Sequence, residues 1–163
     1  MRKITILAAV LTLSLAALGQ TVDPNALPNN IYAFGPTFNP NASPFVSGTM
    51  MYGRLMDGAK GTYAVGVVDA VPTTTAPVTV TTTASAGVAQ LFLNNGKLKL
   101  FATTSAGLSY TSTNAGYGYA LGGMATYDIN AKYAIGFGGR LYKSNISNSG
   151  DQPTLSVEFI LKQ

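Results

Sequence analysis

Few residues in this chain could do chemistry, and the types that are missing narrow the field first. Among 163 residues there is no His and no Cys, and only six Asp and Glu. That excludes His-based acid–base work, Ser-His-Asp triads, the commonest metal ligand and any disulfide. The six acidic residues are scattered over separate segments, so no carboxylate pair is spaced for glycoside hydrolysis. Gly118, Gly122, Gly136 and Gly138 sit in alternating segments with no helix after them, which is not how a phosphate-binding loop is built. Asn145-Ile146-Ser147 has the form of a glycosylation acceptor but lies in a Ser/Asn-rich loop. Two charge pairings remain. Arg140 and Glu158 are expected to face each other inside the fold, where a charge must be paired because an isolated one costs several kcal/mol. Asp128 and Lys132 are expected to form a rim pair across a turn, worth little by itself. The expectation is no enzyme, no cofactor and no metal site, with Arg140–Glu158 a structural pair rather than a gate.

The elements that position these residues follow from hydropathy. Arg2 and Lys3, the apolar run Ile4 to Leu18 and the small residues Ala17-Leu18-Gly19 read as a secretory signal peptide over residues 1–19. Its removal leaves 144 residues. It also takes away Arg2 and Lys3, so that eight basic residues stand against six acidic ones for a net charge of +2. That charge gives no argument for nucleic acid. Residues 20–30, with two prolines and several Asn, read as an extended periplasmic lead-in. Charged residues make up 10% of the chain, where about 25% is usual. No run after the signal is long enough for a spanning helix, which needs about 20 apolar residues. A chain poor in charge, without long apolar runs and rich in alternation points to a membrane-spanning barrel.

Eight strands are expected, over 31–38, 45–56, 62–71, 78–93, 97–111, 116–128, 132–143 and 153–162. The last four alternate clearly, with period two. Leu98, Leu100, Leu108, Leu121, Ile135, Phe137, Leu141, Leu155, Val157 and Phe159 fall on one bulky apolar face. Gly, Ala, Ser, Thr and most charges fall on the other. Asn95-Gly96 is a hairpin signal and predicts Leu93 opposite Leu98 and Leu91 opposite Leu100. A three-residue turn at 129–131 predicts Asp128 opposite Lys132 and Tyr127 opposite Tyr133. The last hairpin predicts Leu141 opposite Val157 and Arg140 opposite Glu158. Strand four changes parity between Val88 and Leu91, which predicts a bulge near Ala89–Gln90. The first two strands carry no decisive face, and neither does Arg54.

Small residues facing water with so few charges would make a poorly soluble exterior. The bulky face is therefore assigned to lipid and the small face to a narrow filled interior. Tyr127 and Tyr133 would flank a periplasmic turn, and Tyr110, Tyr117 and Tyr119 an outer rim, as aromatic girdles do.

Over residues 31–162, in architecture and pattern, the chain resembles the small eight-stranded outer-membrane barrels of the OmpA and OmpX type. The resemblance implies an all-β, up-and-down antiparallel transmembrane barrel over 31–163, monomeric, in contact with outer-membrane lipid. Loops 39–44 and 144–152 would then meet a surface partner. The ending Phe159-Ile160-Leu161-Lys162-Gln163 departs from the terminal aromatic usual in such barrels. Two other roles fit the same strands: a narrow pore for small solutes, and a soluble exported barrel holding an apolar ligand.

Overall fold

The computed structural model describes residues 27–40, 46–72, 80–146 and 152–163. Residues 1–19, read above as a signal peptide, lie outside the described residues, as do most of 20–30 and most of the connections 39–44 and 144–152. Eight strands follow one another: β1 (Asn30–Phe38), β2 (Val46–Asp57), β3 (Thr62–Pro72), β4 (Val80–Asn95), β5 (Leu98–Tyr110), β6 (Ala115–Asp128), β7 (Tyr133–Ser144) and β8 (Gln152–Lys162). Each pairs antiparallel with the next, and β8 pairs with β1 to close the barrel. Closure removes the sheet edges that would otherwise expose unpaired backbone groups. The seam is held beyond the ladder by Asn30 and Gln163, each donating its backbone N–H to the other's carbonyl, at 2.8 and 2.9 Å.

The ends of the barrel differ. One carries Leu27, the C-terminal Gln163 and the tight turns 58–61, 96–97 and 129–132. The other carries the connections 39–45, 73–79, 111–114 and 145–151.

At the tight-turn end the registers differ from expectation. Asn95 pairs with Leu98 and Leu93 with Leu100, so the turn is Gly96-Lys97 rather than Asn95-Gly96. Gly96 alone has positive φ there, as suits Gly in first position of a type II′ turn. The β4 bulge falls at Phe92, between Leu91 and Leu93, later than the expected Ala89–Gln90. The two leucines therefore part company. Leu93 is exposed outside and Leu91 is buried inside against Phe101.

Between β6 and β7, Asp128 pairs with Ala134 and Tyr127 with Ile135, not with Lys132 and Tyr133. The Asn130 side chain accepts the N–H groups of both Lys132 and Tyr133, at 2.8 and 2.9 Å. This lengthens the turn and moves the pairing two residues along. In the last hairpin Leu141 pairs with Pro153, Arg140 with Thr154 and Phe137 with Val157. The shift from expectation is four residues. These shifts are even, so the side chains of β7 and β8 keep their faces; in β4 the later bulge instead turns Leu91, expected outside, to the interior.

Outside, bulky apolar residues predominate. Phe137 is 60% exposed. Leu98, Leu108, Ile135, Leu141, Leu155, Val157 and Phe159 are exposed as well. Leu100 and Leu121 are half-buried on the same face. Tyr133, Phe159 and Phe34 stack outward across the seam, with successive ring centroids 5.5 Å apart. Cross-strand aromatic pairs of this kind stiffen a sheet. β1 and β2 now have a face: Tyr32, Phe34, Phe38, Met50 and Tyr52 point outward, as does Arg54.

The inside is more varied than a filling of small residues. Gly118, Gly136 and Gly138 are buried there. So is a bulky apolar cluster that includes Leu27, Ile31, Met51, Tyr63, Leu91, Phe101, Met124 and Ile160.

Candidate functional site: a charged pin above an apolar plug

The interior is layered from the tight-turn end upward. The first layer is ionic. Lys99 Nζ lies 2.6 Å from Asp128 Oδ2, and Lys162 Nζ lies 2.9 Å from the same oxygen. Asp128 thus takes its ion pairs from inward Lys99 and Lys162 rather than from Lys132. The reason is the register, which sets Lys132 inside the turn while β5 and β8 bring their lysines to the rim. Lys99 Nζ also donates to the Gly96 carbonyl (2.9 Å) and Lys162 Nζ to the Asn130 carbonyl (2.8 Å), tying two turns to the ring.

Leu27 and Pro28 lie over this rim. Leu27 is buried with the apolar cluster, and the Pro28 carbonyl accepts the Tyr63 hydroxyl at 2.9 Å. The second layer is that cluster. Tyr63 packs edge-on to Phe101, centroids 6.1 Å apart. A small gap of about 20 Å³ lies against this layer, touched by Ile31, Tyr63, Phe101, Met124 and Ile160. That is about room for a single water and far below a ligand pocket.

The third layer holds Arg140. Its Nη2 lies 3.3 Å from Glu158 Oε1, so the sequence-level pair does form. The register offsets the two residues by four positions, and the long arginine side chain spans the difference. A second carboxylate absent from the sequence reading completes the group. Arg140 Nη1 donates to Asp69 Oδ1 at 2.9 Å and to Oδ2 at 3.3 Å. Thr49 Oγ1 donates to Asp69 at 2.6 Å, and Ser156 Oγ donates to Glu158 at 2.7 Å. These bonds orient both acids toward the guanidinium, the arrangement a buried charge requires. Glu158 is wholly buried, and its Oε2 has no hydrogen-bond partner among the described residues. Glycines make the room: a Cβ on Gly138 would stand 2.5 Å from Ser156 Oγ and 3.4 Å from Glu158 Oε1.

The fourth layer is a hydroxyl triad. Thr83, Ser109 and Tyr142 are mutually hydrogen-bonded, with Ser109 at 2.9 Å from each of the other two. Thr37 and Thr81 hydroxyls are buried without hydrogen-bond partners among the described residues. Nothing in this layer pairs a nucleophile with a base, and both acids below are engaged by Arg140.

Asp69 did leave a signal in the sequence. In Tyr63-Ala64-Val65-Gly66-Val67-Val68-Asp69 the alternation places Asp in phase with Tyr63, Val65 and Val67. An inward acid of that kind needs an inward cation.

The five tyrosines assigned to girdles all point outward: Tyr127 and Tyr133 at the tight-turn end, Tyr110, Tyr117 and Tyr119 at the other. Among the described residues no cluster of three or more potential metal ligands occurs.

No protein-family model matches the chain, and no curated protein matches it in sequence. Solved structures do match. A de novo designed transmembrane β-barrel superposes with a TM-score of 0.53, covering 88% of this chain and all of that one, at 11% identity. The Yersinia pestis outer membrane protein Ail, in a phospholipid bilayer nanodisc, gives 0.56, covering 83% of this chain and 99% of that one, at 9% identity. At such identities the likeness is one of fold: a closed eight-stranded barrel of the transmembrane, outer-membrane type.

Proposed function

We propose that this chain is an exported bacterial outer-membrane barrel with a blocked interior, a structural or surface-interaction protein rather than a pore or an enzyme. The observation that carries this reading is the inversion of the barrel. Apolar side chains such as Leu108, Phe137 and Leu155 cover the outside, while Asp69, Lys99 and Glu158 are buried. Hydrocarbon tolerates that exterior, and water does not. The tight-turn end then faces the periplasm, and the longer connections meet the cell exterior, as in outer-membrane barrels generally. The tyrosines at the two ends serve as interfacial girdles.

Two features weigh against the other roles. A pore would need a continuous polar path, but Tyr63, Leu91, Phe101, Met124 and Ile160 fill the lower interior, with Leu27 packed into it from below. A soluble carrier would hold its apolar ligand inside the barrel, and the interior gap beside that filling, about 20 Å³, is too small for one. What remains available for recognition is the set of connections at the far end, including those spanning 39–44 and 144–152.

The test is reconstitution. Mature protein should enter phospholipid vesicles and migrate heat-modifiably in detergent gels. In planar bilayers it should give no steady current. Recovery of folded protein from the aqueous phase without detergent would refute the membrane placement, and stepwise conductance would refute the blocked lumen.

A further inference from the structure

We infer that the outside of the barrel carries a phospholipid site at its tight-turn end, with Arg54 taking the phosphate of an anionic phospholipid and an adjoining groove taking one acyl chain. The inference rests on the membrane placement proposed above and adds a particular lipid position to it.

The groove follows from an uneven distribution of side-chain size. On β3, β4 and β5 the outward positions include Gly66, Ala84 and Ala86. Met50 and Tyr52 on β2 and Leu108 on β5 stand around them. A depression of about 660 Å³ results, lined almost wholly by apolar surface. A Cβ built on Gly66 would meet nothing within 4 Å, so the space above that residue is open. Its size lies within the range of ligand pockets, and its chemistry suits a hydrocarbon chain.

Charge selects the occupant. Arg54 follows Tyr52 on the same outward face of β2 and pairs with Ala64, the outward residue next before Gly66. It is exposed. The acid nearest to it in sequence, Asp57, is engaged by Lys60 at 3.8 Å, and Arg54 has no ion pair among the described residues. It stands opposite Asn30, at the level of the rim. A phosphate at the adjacent membrane surface therefore meets an uncommitted guanidinium suited to bidentate bonding. Tyr52 links the two parts. Its ring borders the groove, and its hydroxyl donates to Asn30 Oδ1 at 3.0 Å, which holds the ring in place. Headgroup and chain are then offered a cation and a trough in the order in which a phospholipid carries them.

The probe is a chain-spin-labelled phosphatidylglycerol, compared with spin-labelled phosphatidylcholine, in phosphatidylcholine vesicles holding the full mature chain. The motionally restricted fraction measures residence against the barrel. One cation at the surface corresponds to about a fivefold preference for the anionic lipid. Arg54→Gln should bring that preference to parity. Ala86→Phe should keep the barrel folded, since the added ring points outward, yet reduce the restricted phosphatidylglycerol by filling the groove. A protein that inserts but shows no preference, or whose preference survives Arg54→Gln, overturns the site alone. A protein that stays out of the vesicles overturns the membrane placement, and this site with it.

Discussion

Arg140 and Asp69 stand on β7 and β3, four strands apart around an eight-stranded barrel, and their side chains meet at 2.9 Å inside it. The bond crosses the lumen from wall to wall. With Glu158 on β8 and Thr49 on β2 it joins four strands through one guanidinium. A barrel of this size has no second sheet against which to pack, so a cross-wall ion network takes over part of that task.

Removing the cation should therefore harm the fold more than removing the network. Arg140→Ala leaves Asp69 and Glu158 buried with no counter-charge and is expected to cost about 3–5 kcal/mol, as for other broken buried pairs. Replacing Arg140 with Met together with Asp69→Asn and Glu158→Gln should recover most of that loss. Arg140→Ala with Glu158→Gln alone should recover less, because Asp69 stays stranded. Urea unfolding in vesicles measures all three.

The outward face makes a depth-dependent prediction. Phe137→Arg, in the middle of β7, should cost about 2–4 kcal/mol if the residue lies near the bilayer midplane. Tyr127→Arg, close to the turn, should cost about 0–1 kcal/mol. Equal costs in the same unfolding assay would mean that the exterior is not graded by depth.

The two glycines with positive φ separate strain from crowding. At Gly96 (φ +60°) an added Cβ meets nothing within 4 Å, while at Gly61 (φ +63°) it would sit 2.7 Å from Leu91 Cβ. Gly96→Ala should carry only the left-handed backbone cost of about 1–2 kcal/mol. Gly61→Ala should add about 1–3 kcal/mol of overpacking. Chemical unfolding of the two variants side by side tests the difference.

The strands were legible because period-two alternation is a local property, and it survived the changes of register in β7 and β8, though not the later bulge that turned Leu91 inward. Phe137 and Val157 keep the same face whether Leu141 pairs with Val157 or with Pro153. Register itself was less legible. Asn130 lengthens its turn through side-chain bonds to Lys132 and Tyr133, and a residue type does not announce such bonds. Phe92 shows the same limit: parity required a bulge somewhere in β4, but any of several neighbouring positions satisfies it. The Arg140–Glu158 contact was foreseen through a pairing that does not occur, and it holds because arginine is long. Asp69 escaped because partnership across a lumen depends on closure, which joins strands distant in sequence. Leu27 escaped because composition marked its segment as extended and gave no sign that it turns into the barrel's lower end.

The most direct test of the inverted barrel uses the absence of native cysteine. Single cysteines at positions 137 and 124, at one level on neighbouring strands, carry a bimane label in vesicles whose acyl chains are brominated near mid-chain. Strong quenching is expected for Phe137→Cys, which points outward, and little for Met124→Cys, which replaces a large side chain pointing into the lumen. Equal quenching at both positions, or quenching of position 124 alone, would contradict the inverted barrel.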